Sequence, residues 1–243
     1  MNIEISFCVS DIDLVRNLIE QMKGDKILVD RQYRNVERHD IDISRGKIWK
    51  THIGCLLTSQ QKSSVGSPIQ RFLDSASPLL SLDHCNGLND VKHLAYEALD
   101  NERGIRFKDR ISTFISANHG HLSTGGWSDL FDILQPLATT PRSKEEERDS
   151  AEKISAILTG FGPKQSRNFL QWLGLTQHEI PIDSRIIKWL KGKGNSVTMS
   201  MLSPSGLADK DYYCCILDAI QGLCNEAGVL PCMFDAAVFA SMD

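Results

Sequence analysis

Stretch after stretch of this chain places apolar residues three and four positions apart, and glycine or proline separates one stretch from the next. That period is helical, and it leaves few places for a sheet. "DIDLVRNLIEQMKG" has a capping candidate, spaced apolar residues and a closing Gly24. "KIWKTHIGCLLTSQQ" sets Trp49, Ile53, Leu56 and Leu57 on one stripe. "NDVKHLAYEAL", "RFKDRISTFISAN" and "WSDLFDILQPLA" behind Gly125 and Gly126 repeat the pattern. "TPRSKEEERDSAEKISAIL" opens on acids, as a helix N-terminus prefers. The expected fold is all-α, a compact bundle of about ten helices. Only "KILVDRQYR" reads as a short peripheral strand near the N-terminus.

The 243 residues suffice for one large domain or two small ones with a real core. There is no internal repeat and no long linker, and the first 45 or so residues read as an accessory segment ahead of a helical domain over 46–243. No apolar run reaches the roughly 20 residues that span a bilayer, and the N-terminus lacks a signal pattern, so the expectation is a cytoplasmic protein with no membrane partner. Seven cysteines without regular spacing suit a reducing compartment. Cys214, Cys215, Cys224 and Cys232 form no Cys-x-x-Cys clip and read as small buried hydrophobes rather than metal ligands. The net charge of -4 does not advertise nucleic-acid binding, although Arg185, Lys188, Lys191 and Lys193 cluster, as do Arg31, Arg34 and Arg38. Either cluster also reads as a solvated helix face.

"ILTGFGPKQSRNFLQWLGL", residues 157–175, is helix, tight turn, helix. Gly160 and Gly162 permit positive φ and close backbone approach, and Pro163 fits the first position of the second helix. Amides at such a turn and helix start form an anion site suited to a DNA phosphate. The plainer reading is an ordinary αα-corner. Lys164 follows at once, in the first helical turn, where acids are preferred. A nucleophilic amine must be neutral, and the positive end of the helix dipole together with burial favours that form. Standing alone, the same lysine would read as phosphate-pairing or solvated.

"IPIDSRIIKWL" places Asp183 at the N-cap of the next helix. A helix over 163–173 rises about 16 Å, and the loop from Gly174 to Ile182 extends roughly 30 Å, enough to bring the aspartate back toward Lys164. Capping alone would also account for Asp183.

"LTGFGPK" followed after 19 positions by the aspartate of "IPID" resembles the helix–hairpin–helix/Gly-Pro-Asp superfamily of base-excision DNA glycosylases, in its endonuclease III and 8-oxoguanine glycosylase branches. The resemblance is strong over about 150–190 and weaker over "HIGCLLTSQQ". It implies that Lys164 attacks the sugar C1′ and forms a Schiff base, and that Asp183 stabilises charge there and assists proton transfer. It implies a bifunctional N-glycosylase and abasic-site lyase, acting on double-stranded DNA that carries a damaged base, an oxidised purine such as 8-oxoguanine. Gly160 and Gly162 match the hairpin that grips a phosphate, often through a monovalent cation. Arg185 falls where relatives carry a phosphate-contacting histidine. Gln60, with Gln61 beside it, matches the side chain that fills the gap left by the extruded nucleotide; a plain polar helix end is the simpler reading of both. The active site would lie between two lobes of a monomer of bacterial or archaeal, nucleoid-associated type.

The late cysteines lack the spacing of the family's iron–sulfur loop, so no cluster is expected and no other cofactor is implied. Phe161, Trp127, Trp172 and Trp189 are expected to pack in the core rather than stack on a base. Two other readings stay open: a non-catalytic lesion-sensing module, and a glycosylase for a modified but undamaged base.

Overall fold

Most helix starts are marked by an oxygen-bearing side chain one position ahead of the helix. Asp25 Oδ1 accepts from Ile27 N at 2.8 Å, Asp90 Oδ1 from His93 N at 2.9 Å and Asp209 Oδ1 from Tyr212 N at 2.8 Å. Ser143 and Glu146 cap each other's backbone reciprocally, Ser143 N to Glu146 Oε2 at 3.0 Å and Glu146 N to Ser143 Oγ at 3.3 Å. The computed structural model describes residues 7–59, 61, 64, 66–140, 143–192, 203 and 206–242. Among them are thirteen α-helices and no strand, the all-α fold expected from the periodicity. In chain order these are α1 (Val9–Gln21), α2 (Lys26–Arg31), α3 (Arg45–Leu57), α4 (Pro68–Asp74), α5 (Leu82–Asn86), α6 (Val91–Asn101) and α7 (Lys108–His121). They continue with α8 (Trp127–Thr139), α9 (Lys144–Ile157), α10 (Pro163–Trp172), α11 (Ser184–Gly192), α12 (Lys210–Ala227) and α13 (Pro231–Ala240).

The strand expected over "KILVDRQYR" is instead helix α2 running into a π-helical turn, Gln32–Val36. Asp25 caps it, and the residues that face inward, Leu28, Arg31 and Asn35, recur at helical spacing. Val29, the β-branched residue beside Leu28, is exposed. Helical burial against α13 outweighed a weak β preference.

The helices gather into two units. The first holds Met1–Ile41, Pro141–Ala151 and Gly162–Asp243. In it α1 packs on α12 and α13, and α2 and α11 pack on α13. Its core includes Val15, Leu28, Ile180, Ile182, Ile186, Leu217, Ile220 and Phe234, with Trp189 edge-on to Phe234 at 4.9 Å.

The second unit holds Asp42–Thr140 and Glu152–Phe161. Helix α3 is its centre: nine consecutive or near-consecutive residues from Ile48 to Leu57 are buried, and α4, α5 and α7 pack around them. Each large apolar side chain so buried contributes about 1.5–3 kcal/mol. Trp49 is sunk completely and still satisfies its indole, Nε1 donating to Leu79 O at 2.9 Å.

Candidate active site

Helix α10 is polar in sequence yet buried. Gln165, Ser166, Arg167, Asn168 and Gln171 are all within the first unit's interior. Buried polar groups need partners, so this helix is held by specific bonds rather than by a greasy stripe. Its N-cap is Gly162, extended at φ -105° and ψ -171°, which supplies no side-chain cap to the first-turn amides. Pro163 occupies the first position, and Lys164 stands half-buried behind it in that same turn.

Arg167 is 1% exposed and is the main tie of this helix. Its Nε donates to Glu179 Oε2 at 2.6 Å, and its Nη1 donates to the Pro163 carbonyl at 3.0 Å. Glu179, fully buried, belongs to the loop that follows α10. Its Oε1 takes Arg148 Nε at 3.0 Å and Arg148 Nη2 at 2.9 Å. The loop is gripped a second time by Glu147 of α9. That carboxylate accepts from the amides of Gln177 at 2.9 Å, His178 at 2.8 Å and Glu179 at 3.0 Å, and from the Thr176 hydroxyl. At the loop's end, Ile182 N donates to Tyr213 Oη at 2.7 Å, and Tyr213 Oη donates to Ile180 O at 3.2 Å. Burial pushes the Tyr213 phenol up, so it stays a neutral donor. The Arg167 guanidinium lies over the Tyr213 ring, 4.8 Å from its centroid.

This frame delivers Asp183 to the start of α11. Its Oδ1 accepts from Arg185 N at 2.8 Å and Ile186 N at 3.2 Å, an N-cap as its position in the sequence suggests. Its Oδ2 accepts from Arg185 Nε at 2.8 Å and Nη2 at 2.6 Å. The Arg185 guanidinium also lies over the Phe239 ring at 3.7 Å. Behind them Asp235 sits between Arg31 at 3.1 Å and Gln171 Nε2 at 2.7 Å. Burial pushes the Asp235 carboxyl up, Arg31 opposes that, and the Asp183 charge adds to it. Lys164, Asp183 and Arg185 thus belong to one unit, and Lys164 and Asp183 each directly follow a residue whose backbone this buried network holds.

The Arg31 and Arg34 pair, read from sequence as a patch, works inside that unit: Arg31 on Asp235, and Arg34 Nη2 on the Trp172 carbonyl. Lys188 is exposed and Lys191 half-buried on α11, and Lys193 lies outside the described residues.

In the second unit Gly160 has φ +85°, and a Cβ there would meet Phe114 Cδ2 at 2.4 Å and Leu56 Cδ2 at 2.9 Å. Its own core therefore already demands glycine at this turn, whatever binds outside. Asn118 holds the turn, Oδ1 accepting from Thr159 N at 2.7 Å and Nδ2 donating to Thr159 O at 2.9 Å. The same amide contacts His52 Nε2 at 2.8 Å. His52 is stacked on Phe161, and burial pushes its imidazole down to about 3. Gln61 is tied at both ends of its amide: Nε2 donates to Leu57 O at 3.0 Å and Oε1 accepts from Arg106 N at 2.6 Å. Gln60 lies outside the described residues.

The loop that Gln61 holds carries a feature that periodicity does not show. Phe107, the N-cap of α7, has φ +58°, a left-handed conformation that a bulky side chain rarely adopts. Arg106 and Arg110 both lie over its ring, each 4.8 Å from the centroid.

Of the aromatics expected in the core, Phe161, Trp127 and Trp189 are buried, but Trp172 is only half-buried, its carbonyl serving Arg34. Cys224 and Cys232 are buried as expected of small hydrophobes, while Cys214 and Cys215 are half-buried. Among the described residues no group of three or more His, Cys, Asp or Glu side chains is arranged to hold a metal ion. Sequence reasoning missed Arg167, Tyr213, Phe239 and Phe107. Arg167 had a usable signal, a cation within the helical run that ends in "NFLQWL", with Glu179 and Asp183 the only acids in the loop beyond. The other three carry none, because their roles depend on residues distant in the chain.

No protein-family model matches this sequence, and no curated protein matches it either. Solved structures do. The crystal structure of Methanocaldococcus jannaschii 8-oxoguanine DNA glycosylase aligns with a TM-score of 0.65 at 16% identity, covering 95% of this chain and 94% of that one. The Methanocaldococcus jannaschii 8-oxoguanine glycosylase/lyase in complex with a 15mer DNA containing 8-oxoguanine aligns with a TM-score of 0.65 at 17% identity, covering 94% of this chain and 97% of that one. Over nearly its whole length, then, the chain has the fold of the Methanocaldococcus jannaschii 8-oxoguanine DNA glycosylase.

Proposed function

We propose that this protein is a DNA glycosylase that also cleaves the strand at the abasic site it creates, acting on an oxidised purine in duplex DNA. The observation that carries the reading is an amine in the first turn of α10, behind an N-cap without a side chain, and a carboxylate capping α11, on two segments whose backbones one buried network ties down. Such a network is more than a capped helix needs.

In this reading Lys164 Nζ, as the free amine, donates its lone pair to the sugar C1′. The C1′–N bond breaks and the base departs with the bonding pair, taking up a proton. Opening of the sugar ring gives the C1′=Nζ iminium. Loss of a C2′ proton then drives β-elimination, in which the C3′–O bond breaks and the phosphate leaves. Asp183 faces the positive charge that builds at C1′ and relays protons. The first amides of α10, behind Gly162, hold a backbone phosphate, with or without a monovalent cation. Arg185, whose guanidinium covers the half-buried Phe239 ring at 3.7 Å, turns to a phosphate once it leaves that carboxylate and bares the ring.

Borohydride trapping tests this on duplexes carrying 8-oxoguanine, other oxidised bases or a preformed abasic site. The wild type should form a covalent protein–DNA adduct and Lys164→Gln none. Failure of the wild type to trap on every duplex, with DNA still bound, would favour a lesion-sensing module instead. Trapping on a modified, undamaged base in preference to oxidised ones would move the substrate away from damage.

A further inference from the structure

Two residues of the interior touch the chain immediately before each of the two reacting side chains. Arg167 Nη1 holds the carbonyl of Pro163, which precedes Lys164, at 3.0 Å. Tyr213 Oη holds the amide of Ile182, which precedes Asp183, at 2.7 Å. The two side chains meet face to face, guanidinium over ring at 4.8 Å, and both are almost wholly buried. Arg167 is locked in turn by Glu179 at 2.6 Å, and Tyr213 by the Ile180 carbonyl at 3.2 Å.

Simple stability does not call for this arrangement. A buried ion pair of this kind adds little over a well-packed apolar pair of the same volume. What it does supply is a rigid link of fixed length between two points of the backbone, because a guanidinium fork and a phenol each accept only a narrow range of geometries. Ground lost in the relative placement of two reacting groups is costly, since a misplacement of about 1 Å can slow a reaction by a factor of about 100.

We propose that the Arg167–Tyr213 pair is a positioning clamp that sets Lys164 against Asp183, an inference that rests on the glycosylase–lyase reading. Neither residue touches DNA or the reacting atoms. The clamp acts on the bond-breaking steps and not on DNA affinity.

The probe is a duplex with a preformed abasic site, whose cleavage needs Lys164 but no knowledge of the excised base. Tyr213→Phe keeps the ring and removes the hydroxyl that holds Ile182. At saturating enzyme its single-turnover strand cleavage should fall at least 10-fold, with the Kd for the same duplex changed less than 2-fold and a cooperative thermal melt retained. Arg167→Lys keeps the charge on Glu179 and loses the planar fork, and should give the same split; it carries the measurement if Tyr213→Phe does not fold. In an Asp183→Asn background, Tyr213→Phe should slow cleavage less than 2-fold further, because a clamp has nothing left to position. Wild-type rates in both variants, or a loss that multiplies in full on Asp183→Asn, would overturn the clamp while leaving the lyase reading intact. A wild type inert on the abasic duplex would overturn both.

Discussion

Arg185 closes on Asp183 through one carboxylate oxygen: Nε and Nη2 both donate to Oδ2, at 2.8 and 2.6 Å, while Oδ1 takes the amides of Arg185 and Ile186. Every acceptor position of the carboxylate is thereby filled from its own helix start. For Asp183 to face a sugar, this arginine must yield, and a phosphate is the group best suited to draw it away.

That pairing predicts a measurable coupling. Both side chains are mostly buried, 27% and 14% exposed. Asp183→Asn and Arg185→Met should each destabilise the fold, and the double variant should recover part of the sum. A double-mutant cycle in urea should give a coupling of about 1–2 kcal/mol. A coupling near zero would mean that the pair does not form in solution.

Glu147 holds the loop that returns Asp183, accepting three consecutive amides, at Gln177, His178 and Glu179. Glu147→Ala should strip the carboxylate from these amides, of which only Glu179 N keeps a second acceptor in Thr176 Oγ1, and cost about 2–4 kcal/mol. The urea midpoint should drop with little change in slope, and cleavage should weaken with it. A loss under about 1 kcal/mol would show that water replaces the carboxylate freely.

His52 gives the stability a pH dependence of known sign. Its native imidazole is pushed from 6.5 down to about 3 by burial, so the native state stays neutral where the unfolded chain takes up a proton. Above pH 6.5 both states are neutral and the residue contributes nothing. Below it the unfolded state gains, and stability falls by about 1.4 kcal/mol per pH unit until the native residue itself titrates. Urea titrations at pH 7, 6 and 5 should show this fall, and His52→Leu should remove close to one proton from the uptake on unfolding. An unchanged slope in the variant would place the acid sensitivity elsewhere.

Phe107 keeps a left-handed backbone at φ +58° with two arginines over its ring. An aromatic side chain in that conformation costs of order 1 kcal/mol and invites a functional reading. Asparagine tolerates the conformation, so Phe107→Asn should melt within a few degrees of wild type. If the ring stacks on a base, affinity for the abasic duplex should fall about 10-fold. Retained affinity would reduce the feature to local packing.

Much of this protein is legible in one dimension, because helices declare themselves locally. Capping residues, the acid-rich opening of α9 and the Gly-Phe-Gly-Pro turn fix where elements begin and end, and Lys164 and Asp183 stand out because each sits at such a boundary. The misread element, a strand at "KILVDRQYR", arose where local preference is weak and packing on α13 decided. Gly160 looked like a residue reserved for a ligand, yet Phe114 and Leu56 already exclude a side chain there. The sequence by itself determined the helical class, the turn, and the placing of an amine and a carboxylate at two helix starts. Only the tertiary structure decided that Arg185 occupies the carboxylate, that Gln61 is tied to Arg106, and that Arg167 meets Tyr213. Those pairs are separated by 2, 45 and 46 positions, and side-chain partners are chosen by where the fold places them, most strictly for Arg167, a buried polar group that must find one.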